Sequence, residues 1–230
     1  MKVHSFNRFA AAAFVALASV AFLAAPAQAQ SEQQKLVNAS SKTLSNFLRD
    51  PDMSWLQNNI GRAKAVLIAP TIAKAGFIFG GSGGRAVLLA RDSATGKWGG
   101  PAFYTLATAS VGFQAGVSVS ENVTLVMTEK GLNSLLANSV KVGADASVAA
   151  GPVGAGAKSD IVADLVTFSR AKGVYGGLNL DGTVIAPAND WNNTYFGKDV
   201  LPPDILIRMT ARNKQADALL AQVTKASKRK

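Results

Sequence analysis

From Val111 to Ser120 the chain alternates without interruption. Val111, Phe113, Ala115, Val117 and Val119 fall on one side, and Gly112, Gln114, Gly116, Ser118 and Ser120 on the other. Side chains along a strand point to opposite faces in turn, so a period of two predicts one half-buried β-strand over this stretch. The pattern recurs downstream, where Val142, Ala144, Ala146, Val148 and Ala150 alternate with Gly143, Asp145, Ser147 and Ala149. A chain with two such stretches must build a sheet. Because so many strand positions are Gly, Ala or Ser, that sheet can bend sharply and be approached closely.

Shorter β signals fill the space between. Ala65–Ala69 is a buried run ended by Pro70, and Ala75–Gly80 is another. Gly81-Ser82-Gly83-Gly84 reads as a turn, Arg85–Arg91 as the strand after it, and Asp92–Gly96 as a second turn before Lys97-Trp98. Val123–Thr128, Val153–Lys158, Asp164–Arg170 and Val174–Leu180 read as further strands, with Asp181-Gly182 as a hairpin turn between Leu180 and Thr183.

Helical spacing brackets this β region. Leu36, Val37, Ser40, Leu44, Phe47 and Leu48 share one side of a helix over 31–49, which Asp50-Pro51 stops. Trp55, Leu56 and Ile60 mark a short second helical turn. Glu129–Asn138 reads as a helix with Thr128 as N-cap and Leu132, Leu135 and Leu136 facing inward. Asp190–Phe196 is a short helix. A long C-terminal helix then starts at Pro202-Pro203-Asp204, its apolar side marked by Ile205, Met209, Ala216, Leu219, Leu220 and Val223. Arg212 and Asn213 interrupt that stripe, so a bend there is possible, and fraying is expected over Ser227–Lys230. The fold class is therefore α+β: a curled antiparallel sheet or small β-barrel-like core packed by N- and C-terminal helices.

The first residues read as an export signal. Lys2 and Arg8 precede an apolar run, Phe9–Ala25, and Ala27-Gln28-Ala29 supplies the small residues of a cleavage site, with the cut placed after Ala29. The domain reading is a signal peptide over 1–29, one domain over 30–200 (helical 31–60, mainly β 63–186), and a basic C-terminal helix and tail over 201–230. The expected location is periplasmic or secreted. The chain has no Cys, which removes disulfides and an N-terminal lipid thioether, so packing alone must hold the fold.

Charge is unevenly placed. The formal net charge is +10, and the signal takes Lys2 and Arg8 with it. Arg208, Arg212, Lys214, Lys225, Lys228, Arg229 and Lys230 face only Asp217 in the last stretch, leaving a nearly neutral body with a basic tail. For an exported chain this argues against nucleic acid and for anionic lipid headgroups or other acidic envelope polymers as the partner.

Several chemistries are disfavoured. The only His is His4, inside the signal, so the exported chain lacks the common general base, the thiolate nucleophile and the usual transition-metal ligands. Gly80-Gly81-Ser82-Gly83-Gly84 matches G-x-S-x-G literally, but without a His base Ser82 has no route to nucleophilic activity. The same glycines lack the Lys-Ser/Thr and following helix of a phosphate loop. Gly151–Gly156 reads as a turn, and Asp50 and Asp52 as capping residues. Asp160 and Asp164 form no recognisable carboxylate pair. No enzyme activity, cofactor or metal is expected. Helices at both ends and few aromatics argue against an outer-membrane barrel.

The run Arg62–Leu89, with Gly96-Lys97-Trp98-Gly99-Gly100-Pro101 and Val111-Gly112-Phe113-Gln114-Ala115-Gly116, closely resembles the SYLF-domain family. The match continues through Glu121–Asn138, Val142–Ala157 and Lys172-Gly173-Val174-Tyr175-Gly176-Gly177, and covers roughly residues 32–200. The resemblance is to the secreted bacterial branch and implies a lipid-binding domain. Eukaryotic members bind phosphoinositides and some bind actin, through basic or amphipathic N-terminal segments.

The expected function is peripheral binding to anionic membrane lipid. Candidate contacts are Lys35 and Lys42 on the first helix, Arg62, Lys64, Lys74 and Arg85 near the signature, and Lys225, Lys228, Arg229 and Lys230 in the tail. Four tail charges at about 1 kcal/mol each give only about millimolar binding, so Phe77, Phe79 or Trp98 is expected to add apolar insertion. The alternative is a structural or protein-interaction protein of the cell envelope that docks through its C-terminal helix.

Overall fold

The computed structural model describes residues 30–76, 79–111, 116–154, 161–171, 174–176 and 182–228. Ser31–Lys230 form one compact unit. It opens with helix α1, Glu32–Arg49, whose first turn is capped by the Ser31 hydroxyl accepting from Gln34 N at 3.2 Å. Its inward stripe is the one the spacing predicts, with Val37, Leu44, Phe47 and Leu48 buried. Asp50 and Pro51 end it, and the Asp50 carboxylate caps a 3-10 turn over Pro51–Met53. Helix α2, Ser54–Asn59, then buries Trp55 and Leu56.

The sheet is built around a hairpin of β1, Ala65–Gly76, and β2, Phe79–Arg91. Strand β3, Trp98–Val111, pairs with the outer side of β2, and β4, Gly116–Val126, with the outer side of β1. Helix α3, Glu129–Leu136, follows, capped by Thr128 as predicted. Five shorter strands complete the sheet: β5, Val140–Lys141; β6, Val148–Ala150; β7, Leu165–Ala171; β8, Val174–Gly176; and β9, Val184–Pro187. The order is β5-β9-β3-β2-β1-β4-β7-β6, with β8 also on β7. All pairs are antiparallel except β6 with β7. The result is an α+β fold around a strongly curled half-barrel. Helices α4, Asn189–Phe196, α5, Pro202–Leu206, and α6, Asp217–Ser227, finish the chain.

Near their shared end, β1 to β4 are covered on both faces. One face packs Val66, Ile68, Val87, Leu89, Phe103 and Leu125 under α1, α2 and α6. The other packs Leu67, Leu88, Tyr104 and Leu106 against α3, α5 and β9. Two covered faces explain why these segments read as unbroken apolar runs rather than alternations.

Several expectations are corrected. The Val111–Ser120 alternation is not one strand: Val111 closes β3 and Gly116 opens β4, with 112–115 outside the described residues. Phe79 pairs with Val111 and Gly76 with Gly116, so this connection joins strands on opposite flanks of the β1–β2 hairpin. Two of its apolar members are not half-buried either: Val117 is 75% exposed and Val119 49%.

The Gly81–Gly84 turn is also absent, because those glycines lie within β2, paired with β1 and β3. A register shift in β1 between Ile68 and Thr71 lets the strand run through Pro70 and thrusts the Thr71 carbonyl at Gly84. A Cβ on Gly84 would lie 2.3 Å from that oxygen.

The Val142–Ala150 alternation is broken by a tight turn. Gly143 takes φ 92°, its N donates to Ala146 O, and the Asp145 carboxylate accepts from Lys141 N. The long C-terminal helix is two helices, separated at 207–216 by a segment in which Met209 takes φ 51° and Lys214–Ala216 form a 3-10 turn. The hairpin read at Asp181-Gly182 falls on residues 177–181, which lie outside the described residues. Val153 and Gly154 are not in a strand, and 155–160 and 177–181 lie outside the described residues.

Candidate functional site

The richest surface lies where the start of β3 meets α6. Trp98 opens β3 and is 7% exposed, its Nε1 donating to Ser227 Oγ at 3.2 Å near the end of α6. Two glycines let the backbones close up here. A Cβ on Gly61 would sit 2.6 Å from Ser227 O, and one on Gly99 would sit 2.8 Å from Leu206 O and 3.0 Å from the Met209 side chain. The turn before Trp98 is fixed by Asp92, whose Oδ1 accepts from Thr95 N and Thr95 Oγ1, both at 2.6 Å. Those bonds hold the Asp92 carboxyl below its usual range.

A groove of about 620 Å³ opens between this turn, the segment after α5, and α6. Trp98, Met209, Ala211 and Leu220 give it apolar walls, and Lys97, Arg212 and Lys228 stand along it with a single acid, Asp217. Arg212 binds that acid at 3.1 Å. A smaller pocket of about 180 Å³ adjoins it, lined by Arg62, Lys64, Arg91 and Ser93. Arg91 separates the two: its Nη1 donates to Gly61 O at 2.7 Å, and its guanidinium lies against Gly96, which lines the groove. Lys64 pairs with Glu129 at 2.8 Å, and that hydrogen bond is the first cause of a lowered Glu129 pKa.

The predicted contacts scatter. Arg62, Lys64, Trp98 and Lys228 come together at this end of the molecule. Trp98 is not a projecting ring but a buried one forming part of the groove. Lys225 is exposed on α6. Lys35 and Lys42 are exposed on α1, away from the groove lining, and Lys35 pairs with Glu32 at 2.7 Å. Lys74 is exposed in the far half of β1, opposite Ser82 and Ser118. Arg85 stacks 3.9 Å over the Trp191 ring. Phe79 opens β2; Phe77, Arg229 and Lys230 lie outside the described residues. Sequence reasoning missed Arg91, Lys97, Met209 and Arg212 as a group. The interruption of the apolar stripe at Arg212 was the one signal that the chain turns there.

Two other polar centres are structural. Asp164 accepts from Thr128 Oγ1 at 2.5 Å, Ser147 N at 2.9 Å and Ser147 Oγ at 2.8 Å, tying the α3 cap to β7. The Thr128 bond leads in pulling its carboxyl down to about 2. Asn192, fully buried, accepts from Phe103 N at 2.7 Å. Ser82 sits mid-strand in β2. Among the described residues no cluster of acidic, His or Cys side chains could hold a metal, and no helix is long and apolar enough to cross a membrane.

Fold and surface together define a class: an α+β half-barrel with an open, cation-edged groove at one end. The model of the Ysc84 family, described as "Las17-binding protein actin regulator", matches residues 107–226, and the chain belongs to that family, the SYLF family of the motif resemblance. It is 27% identical over 204 residues to SH3 domain-containing YSC84-like protein 1 of Homo sapiens, covering 84% of this chain and 58% of that one. It is 30% identical over 166 residues to Protein YSC84 of Saccharomyces cerevisiae, covering 69% and 35%. LAS seventeen-binding protein 3 of the same yeast is 28% identical over 193 residues, covering 79% and 41%. The chain thus spans little more than half the length of the curated relatives it matches, or less.

Proposed function

We propose that this chain is a non-enzymatic lipid-binding module that is exported and associates peripherally with anionic membrane lipids in the periplasm or outside the cell. The observation that carries the reading is the gathering of Arg62, Lys64, Arg91, Lys97 and Lys228 around the Trp98 end, with Asp92 and Glu129 among them. A formal net charge of +8, left once Lys2 and Arg8 go with the signal, adds long-range attraction. Export rests on the Lys2–Ala29 pattern, and the non-enzymatic reading on the single His in the signal and the absence of Cys. Docking of an envelope protein through the C-terminal helix has less support, because Leu219, Val223 and Ala226 of α6 are already spent on the core.

Vesicle co-sedimentation tests the reading. Phosphatidylcholine vesicles containing phosphatidylglycerol should pull the protein down, pure phosphatidylcholine should not, and added salt should release it. Each cation at an anionic surface contributes about 1 kcal/mol, so Arg62→Gln, Lys225→Gln and Lys228→Gln together should weaken binding about a hundredfold. No sedimentation with any vesicle would refute the proposal. Mass spectrometry of the exported protein should find Gln30 at its N-terminus.

A further inference from the structure

The groove beside Trp98 has features that a general basic patch does not need. Its lining sets Trp98, Met209 and Leu220 beside Lys97, Arg212 and Lys228. Its volume of about 620 Å³ falls within the range of sites that enclose one small molecule. Met209 holds φ 51°, the left-handed region that side chains other than glycine rarely adopt, and such strain gathers at ligand clamps. That conformation lays the Met209 side chain on Gly99, where a Cβ would meet it at 3.0 Å. A flexible thioether then forms a wall that can repack around a chain.

Charge selects among apolar ligands. Arg212 is engaged by Asp217, and among the described residues Lys97 and Lys228 take part in no ion pair. Asp92, in the turn with Lys97, accepts two hydrogen bonds from Thr95, and Lys97 adds only the last of the causes that hold its carboxyl down. Two ammonium groups beside an apolar trough suit a chain with one acidic head. The one guanidinium of the lining already shares Nη2 with Asp217, and the two ammonium groups are compact point charges rather than planar forks.

We infer that the groove binds one fatty-acid-type molecule, its chain against Trp98, Met209 and Leu220 and its carboxylate between Lys97 and Lys228. This deepens the lipid-binding reading by giving it a stoichiometric ligand site distinct from a bilayer surface.

The test is calorimetric titration of the whole protein with dodecanoate below its micelle concentration, alongside dodecanol, dodecyl phosphate and the vesicle assay. One dodecanoate per chain should bind. Ala221 lines the groove from the exposed side of α6, so Ala221→Trp fills the groove from outside the core. It should cut dodecanoate affinity at least about tenfold, with an unchanged melting temperature showing that the fold is intact. Lys97→Gln with Lys228→Gln should bring dodecanoate down to the affinity of dodecanol.

The inference is overturned if dodecanoate does not bind one to one, or if Ala221→Trp binds it like the parent. Tighter binding of dodecyl phosphate than of dodecanoate, or equal binding of dodecanol by the parent, also overturns it. Sedimentation with anionic vesicles but no dodecanoate uptake sinks the groove and leaves the membrane reading standing. Uptake without sedimentation does the reverse.

Discussion

Strands β1 to β4 each have two halves with opposite surroundings. In the half that holds Val66–Ala69, Val87–Ala90, Ala102–Tyr104 and Val123–Val126, both faces are covered and every one of these residues is buried. In the other half, Thr71, Ala73, Lys74 and Ala75 of β1, Thr105, Ala107 and Ala109 of β3, and Val117 and Val119 of β4 are exposed. The backbone ladders run through both halves. Hydrogen bonding therefore sets the length of these strands, and helix packing sets where they are stable. The far half is small-residue sheet, joined to the body by its ladder, by the buried Ile72 and Leu106 at its border and by the Thr108–Thr183 hydroxyl pair.

The largest effect should come from the covered half. Phe103 is fully buried, with Tyr195 edge-on at 5.0 Å between centroids and Trp191 at 5.9 Å. Phe103→Ala removes both ring contacts to α4 and a fully buried ring of the covered face, and should cost about 3–5 kcal/mol in urea unfolding. A loss under about 1 kcal/mol would show that the covered face is not the stabilising one.

The border between the halves sharpens the comparison through two adjacent glycines. A Cβ on Gly84 meets the Thr71 carbonyl at 2.3 Å, while one on Gly83 stands 3.4 Å from Leu106 O. Gly84→Ala should cost about 2–3 kcal/mol, because a backbone oxygen in a bulge has nowhere to move. Gly83→Ala should stay within about 0.5 kcal/mol of the parent. Equal effects would mean that the bulge relaxes.

Asp164 tests the covered half from its polar side. It has 7% of its surface exposed and accepts three hydrogen bonds, with Lys130 at 3.5 Å. Its carboxyl is pulled down to about 2 in the folded chain, against an unfolded value of about 4. The stabilisation is thus complete above about pH 4 and lost as pH falls toward about 2, worth on the order of 2 kcal/mol. Asp164→Asn should lose about that much at neutral pH and flatten the acid limb of the stability curve over this window.

The covered half of β1, β2 and β4 was legible from sequence, whereas Gly99–Ser110 of β3 was not read as a strand and the far half was not legible. Val66–Ala69 and Arg85–Arg91 announce strands because β-branched and large aliphatic residues recur there, and α1 and α3 announce themselves by spacing and by the Ser31 and Thr128 caps. The glycines of β2 carry no such signal. A run of Gly and Ser suits a turn or a strand squeezed against a neighbour's carbonyl, and only the β1 bulge decides which. Alternation misled at Val111–Ser120 for a related reason: periodicity reports which residues could share a face, and cannot report that the chain turns within the pattern or that nothing covers the face. The groove was half legible. Arg62, Lys64, Trp98 and Lys228 were named from charge and motif, whereas Arg91, Lys97 and Arg212 join them only because α6 folds back onto the start of β3.

The smallest expected effect is the sharpest check on the far half. Val117 is the more exposed of the two β4 valines, pairs with Ala75 across the ladder, and carries an apolar side chain into solvent. Val117→Ser removes little buried area, so unfolding free energy should move by no more than about 0.5 kcal/mol. The slightly lower strand propensity of Ser works in the same small range. The amides of Ala73–Ala75 and Val117–Val119 should also exchange with deuterium well before those of Val66–Ile68, since they open without disturbing the covered faces. A loss above about 1.5 kcal/mol on Val117→Ser, or equal protection at both ends, would mean that the far half is buried in solution. The two halves would then have to be treated as one packed sheet.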